Sequence, residues 1–153
     1  MLICTDTAGR VLEIAHSLDH YWKNEKLGLF AYTIALLNNV SLSVIDFAKS
    51  QVEWMNDKIV QSFEIGRNNP FEFKHIKLCR SIAELNSLNT PSKNKVVLAS
   101  TPDLESGFSR QLFVEWCENP KNTVIFTSRS GQATLASKLM ENLSTKKISL
   151  EVC

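Results

Sequence analysis

Residues 95–117 constrain this chain more than any other stretch. Val96, Val97, Leu98 and Ala99 form an unbroken apolar run rich in β-branched side chains. Successive residues of a strand point to opposite faces of its sheet, so a run that is apolar at every position needs cover on both faces. A polar turn follows over residues 100–107, and then Phe108, Leu112, Phe113 and Trp116 recur at helical spacing. Strand, loop and helix in that order place the loop at the carboxyl end of a parallel strand. Open α/β sheets bind their ligands at that edge.

The same alternation runs through the rest of the chain. Leu2, Ile3 and Cys4 are a brief apolar run that ends at Asp6. A turn at Thr7, Ala8 and Gly9 leads into a helix carrying Val11, Leu12, Ile14, Ala15, Leu18, Tyr21 and Trp22. Residues 29–37 form a second apolar run. Ser43, three residues before Asp46, reads as an N-cap with an acidic first turn. From there Ile45, Ala48, Val52, Met55, Ile59 and Phe63 trace one face of a single long helix, stopped by Gly66 and the Asn68-Asn69-Pro70 cluster. Phe71, Phe73 and His75 alternate with Glu72, Lys74 and Ile76 as a strand would. Ser81 and Glu84 make a capping box for a short helix. Residues 90–94 are a polar connector, 122–126 a strand and 131–140 a helix. Residues 148–152 alternate apolar and polar, as suits an edge strand. Repeated βα units predict one three-layer α/β domain over residues 1–153: a mainly parallel, Rossmann-like sheet of five or six strands with helices on both faces.

Composition narrows the function classes. At 153 residues and 44% hydrophobic, the chain can bury a sizeable core. A net charge of +1 supplies no overall pull toward nucleic acid or anionic membrane. Cys4, Cys79, Cys117 and Cys153 lack CxxC spacing, which fits a reduced, soluble intracellular protein using cysteine as a small apolar residue.

Chemistry-bearing motifs are sparse. His16 and His20 stand one turn apart, a spacing that two metal ligands can share, but no third ligand sits at a useful spacing and their helix face also carries Glu13 and Lys23. His75 reads as a strand histidine. Cys117 reads as inert packing on an apolar helix face beside Trp116. Gly9 and Gly107 build neither a dinucleotide fingerprint nor a phosphate loop. No catalytic residue, metal or cofactor is expected from this segment alone.

Three loops remain, over residues 6–10, 100–110 and 128–134. Each should follow a parallel strand on one edge and enter a helix whose free N–H groups favour an anion. Arg10, Arg110 and Arg129 would add phosphate-binding forks, with Ser106 and Ser109 beside them. The competing and favoured expectation is that Arg10 and Arg110 pair with Asp6, Asp103 or Glu105 and simply fix the loops.

These stretches carry a resemblance that covers essentially the whole chain. The Asp6-Thr7-Ala8-Gly9-Arg10 step, the helix around residues 47–55, Asn68-Asn69-Pro70-Phe71, Ser106-Gly107-Phe108-Ser109-Arg110 and Pro120-Lys121-Asn122 resemble the β-CASP cassette of metallo-β-lactamase-type nucleases. Residues 48–55 and 102–110 are most similar to the catalytically silent branch of that family, found in pre-mRNA 3′-end cleavage and polyadenylation factors. The resemblance implies a nuclear, non-catalytic subunit fragment that partners the homologous endonuclease and scaffold proteins of the processing complex and frames the RNA path. The alternative it implies is part of an active zinc-dependent endoribonuclease whose metal ligands lie outside this chain. An unrelated α/β interaction domain is the third reading. Active relatives carry Gly after the loop proline, whereas Asp103 follows Pro102 here, with Glu105 two residues on. Two carboxylates there would repel a phosphate.

Overall fold

The computed structural model describes residues 1–88 and 94–141. Strands β1 (Leu2–Cys4), β2 (Thr33–Leu37), β3 (Ile76–Cys79), β4 (Lys95–Ala99) and β5 (Val124–Phe126) form one sheet in the order β3-β2-β4-β1-β5. Every pairing is parallel. Six helices connect or follow them: α1 (Arg10–Trp22), α2 (Ser41–Ser50), α3 (Asp57–Gly66), α4 (Ile82–Ser87), α5 (Gly107–Trp116) and α6 (Leu135–Glu141).

The unbroken apolar runs have the reason expected of them, because alternate residues enter two separate cores. Ile3, Ile34, Leu36, Val96 and Leu98 pack with Val11, Ala15 and Trp22 of α1 and Ile45 of α2. Leu2, Cys4, Ala35, Leu37, Val97 and Ala99 pack on the other face with Leu85 of α4, Leu112 and Phe113 of α5, and Leu135 of α6. Full burial of one such aliphatic side chain contributes about 1.5–3 kcal/mol, so the two layers hold the sheet from both sides.

Five local expectations need correction. The helix over residues 45–63 is two helices, not one. It begins at Ser41 rather than after Ser43, with Val40 flanking it. It breaks at a 3₁₀ turn over Val52–Trp54 and restarts where the Asn56 side chain accepts the Lys58 N–H. An asparagine that caps a new first turn outcompetes the apolar period running through it. Phe71, Phe73 and His75 precede β3 instead of belonging to it. The buried Asp19 carboxylate of α1 accepts the N–H groups of Lys74 and His75 at 3.0 and 2.8 Å, taking donors a strand ladder would have used. Helix α6 starts at Leu135, four residues late. Cys117 is exposed at the end of α5 rather than packed on its apolar face. The edge strand expected over 148–152 and most of the connector over 90–94 lie outside the described residues.

The chain steps from β1 through β2 to β3 at one edge, then returns through β4 to β5 at the other. The loops after β4 and β1 therefore leave neighbouring strands for helices on opposite faces. That is the switch point of the sheet, the place where doubly wound folds leave a crevice.

Candidate functional site

Because β4, β1 and β5 are neighbours, the three loops singled out in the sequence stand side by side at the carboxyl edge. What occupies their helix termini is the deciding geometry. At α1 the Asp6 carboxylate accepts the N–H groups of Arg10 and Val11, both at 2.8 Å. Gly9 permits this: a Cβ there would stand 3.1 Å from Asp6 Oδ2. At α6 the Glu105 carboxylate accepts the Leu135 N–H at 2.5 Å, the Asp103 carbonyl accepts that of Ala136 at 3.1 Å, and the Thr134 hydroxyl that of Ser137 at 3.2 Å. At α5 the Ser109 N–H donates to the Ser100 carbonyl at 2.9 Å. The expectation that these termini offer free N–H groups is corrected for α1 and α6, whose donors are held by the protein's own oxygens.

The two loop acids owe their orientation to Leu104, which is fully buried in the α5–α6 core at φ +62. With Leu104 pinned inward, Asp103 and Glu105 flank it and bond within the loop. Asp103 Oδ1 accepts the Thr101 hydroxyl at 2.5 Å and the Glu105 N–H at 3.2 Å. The Thr101 bond, offset in part by burial, holds the Asp103 carboxyl below the usual carboxylate range. Gly107 closes the loop at φ +74, where a Cβ would meet the Ser100 carbonyl at 2.7 Å. Only glycine fits that turn.

The arginines behave differently from the pairing expected of them. Arg10 Nη1 donates to the Thr127 carbonyl at 2.5 Å rather than to Asp6, whose oxygens take backbone N–H groups. Thr127 in turn donates through its N–H and hydroxyl to the Cys4 carbonyl, so Arg10 ties α1 to the β1–β5 pair. Arg110 donates to the Leu104 carbonyl at 3.3 Å. Ser106 and Arg129 are exposed, and Ser109 is fully buried, its hydroxyl donating to the Thr101 carbonyl at 2.7 Å. A cleft of about 380 Å³ between α1 and the β5 loop is lined by Asp6, Gly9, Arg10, Glu13, Thr127 and Ser128.

One residue at this edge escaped the sequence reading. Asn38, buried at the end of β2, donates to the Thr7 carbonyl at 3.0 Å and accepts the Val40 N–H at 3.1 Å. Its signal was an asparagine directly after an apolar run, which favours a side-chain-closed turn. The histidines lie elsewhere. His16 and His20 are exposed on α1, and among the described residues no three potential metal-ligating side chains come together. Cys4 and Cys79 are buried, and desolvation pushes their thiols up to about 12 and about 11.

The Beta-Casp domain family matches residues 11–139, most of the chain. This chain belongs to the Beta-Casp family. The Beta-Casp chain is 60% identical over 153 residues to a probable cleavage and polyadenylation specificity factor subunit 2 from Drosophila melanogaster, covering 99% of this chain and 20% of that protein. It is 44% identical over 139 residues to cleavage and polyadenylation specificity factor subunit 2 from Arabidopsis thaliana, covering 91% and 18%. Identity falls to 37% over 134 residues with endoribonuclease YSH1 from Eremothecium gossypii, covering 86% and 17%. The Beta-Casp chain thus spans about a fifth of the length of the relatives it matches.

Proposed function

We propose that this Beta-Casp segment belongs to a non-catalytic subunit of the nuclear machinery that cleaves and polyadenylates pre-mRNA, where it partners the homologous endonuclease and scaffold proteins and frames the RNA path. Its similarity to the subunit 2 proteins supports the process. The arrangement of Asp103 and Glu105 carries the non-catalytic part. Two carboxylates are fixed on the loop at the switch point, and one of them takes a helix N–H that a phosphate would otherwise approach. Arg10, Ser106, Arg110 and Arg129 remain the residues proposed to face RNA on the rim of this edge, while buried Ser109 supports the loop from inside.

Metal content of the full-length parent, purified without chelator, tests the reading. A complete His/Asp site retains zinc through such a purification. Less than about a tenth of a zinc per chain agrees with the proposal. Close to two metals per chain overturns it and favours the second reading, a segment of a zinc-dependent endoribonuclease. The similarity to the YSH1 endoribonuclease is the observation on that side.

A further inference from the structure

Helix α2 follows β2 at the same carboxyl edge, and no side chain of the described residues caps its start. Val40 stands at the cap position, exposed and with no atom that can accept a hydrogen bond. The Ser41 N–H donates to the Asn38 carbonyl at 3.3 Å and the Val44 N–H to the Val40 carbonyl at 2.9 Å. Between them, the N–H groups of Leu42 and Ser43 meet no acceptor among the described residues. In the same turn the hydroxyl of Ser41, a residue only 1% exposed, also lacks a partner among them. A buried hydroxyl left unpaired costs stability, so this one marks a place where an acceptor from outside belongs.

A cation stands on the same side. Ile76 and Leu78 of β3 pack in the core that holds Ile45 of α2, so strand alternation puts Arg80 on that face. Arg80 directly follows Cys79, whose carbonyl accepts the Asn38 N–H at 3.1 Å. Its backbone N–H donates to Glu84 Oε2 at 2.7 Å, while its exposed guanidinium has no partner among the described residues. Asp46 and Lys49, further along α2, pair with each other at 3.8 Å.

We propose that the first turn of α2, together with Arg80, binds a phosphate group of RNA. A carboxylate from the parent's own polypeptide would use two N–H groups, as Asp6 does at α1, and leave the guanidinium and the Ser41 and Ser43 hydroxyls unanswered. A phosphate, with its oxygens spread in three dimensions, answers all of them together. Asp103 and Glu105 lie on the loop after β4, which turns to the other face, so RNA crosses the edge on its β2 side. The inference rests on the reading that this edge fronts RNA.

The test is amide hydrogen exchange over residues 40–46 of the full-length parent, read by mass spectrometry. It compares the parent alone, with single-stranded RNA, and with inorganic phosphate at the same phosphate concentration. Expected is exchange at Leu42 and Ser43 slowed about threefold by RNA and not by inorganic phosphate. Val40→Asp, which supplies the kind of cap Asp6 gives α1, should abolish that change and weaken RNA binding about fivefold, without lowering the melting temperature. Val40→Ala, which supplies no acceptor, should do neither. Arg80→Gln should weaken binding about threefold and flatten its salt dependence by about one counterion. Slow exchange at these amides in the parent alone overturns the inference in favour of cover by its own polypeptide. Equal slowing by inorganic phosphate overturns it in favour of a free anion. RNA bound with these amides unchanged, while Arg129→Ala still weakens binding, overturns the α2 site and leaves the reading beneath it standing. RNA bound with both unchanged, or no RNA bound, overturns both.

Discussion

The carboxylate of Glu105 accepts the backbone N–H of Leu135, thirty residues further along the chain, at 2.5 Å. A side chain in the loop after β4 thereby caps the helix after β5, and the bond ties together the two loops on either side of β1. Removing that cap should cost about 1 kcal/mol, the ordinary value for a lost N-cap. Glu105→Ala should lower the urea midpoint accordingly and raise amide exchange across Leu135–Glu141, with α1 unaffected. Glu105→Gln, which keeps an acceptor oxygen, should lose less than half as much.

Gly107 is the least replaceable glycine. Gly107→Ala adds a left-handed backbone penalty of about 1–3 kcal/mol to a 2.7 Å approach to the Ser100 carbonyl. Relief of that approach displaces the first turn of α5. Chemical denaturation should show a loss of at least about 3 kcal/mol, whereas Gly28→Ala, with φ +64 but open space around it, should show only the backbone part.

Asp103 makes the loop sensitive to acid. Its carboxyl lies below the usual range chiefly through the Thr101 hydroxyl, so the unfolded chain binds the proton more readily than the folded one. Stability then rises with pH across that window. The contribution is complete above about pH 4, the unfolded carboxylate value, and is lost as pH falls through the depressed folded value. Thermal melts between pH 5 and pH 2 should fall more steeply for the native protein than for Asp103→Asn.

Thiol chemistry should report the packing of one layer of the sheet, where both Cys4 and Cys79 lie. In a Cys153→Ser background, a chromogenic disulfide reagent at pH 8 should titrate exposed Cys117 first. Cys4, with its thiol up at about 12, holds only about one thiolate in ten thousand at that pH and should react only on unfolding. Cys79 should follow Cys4. Rapid reaction of either buried thiol in the folded protein would contradict the packing described.

The rim arginines and loop acids make opposite predictions for RNA. Asp103→Asn with Glu105→Gln in the full-length protein should tighten RNA binding about threefold at low salt, because two repulsive charges leave the edge. Arg129→Ala should weaken it by a similar factor and flatten the salt dependence by less than one counterion. Unchanged affinity in both variants would remove this edge from the RNA path.

Much of this was legible in the residues, for identifiable reasons. The apolar runs at 2–4 and 96–99 can satisfy both faces only in a covered parallel sheet, and the five strands, all parallel, follow that logic. The loops at residues 6–10 and 100–110 fell on one edge because right-handed βα units leave no other choice. Periodicity failed where a polar side chain bonds to distant backbone. Asn56 restarts a helix in mid-pattern, and Asp19 takes the N–H groups of a would-be strand 55 and 56 residues away. No local pattern records such a bond. The carboxylates of Asp6 and Glu105 were visible as residues but not as caps, since their partners depend on which strands become neighbours.

The place of β1 in the sheet has a consequence for how the protein is made. Its neighbours are β4 and β5, so a nascent chain that has emerged through residue 88 can pair only β2 with β3. Strand β1 waits for residues 95–99 before it finds a partner in this sheet, and the loops at the switch point take shape only after that. Synthesis from the amino end therefore leaves Leu2, Ile3 and Cys4 without a strand partner until residues 95–99 emerge. Such late, long-range closure is slow and prone to wrong association. The sheet is completed from its middle, by inserting the first of its five strands between the last two.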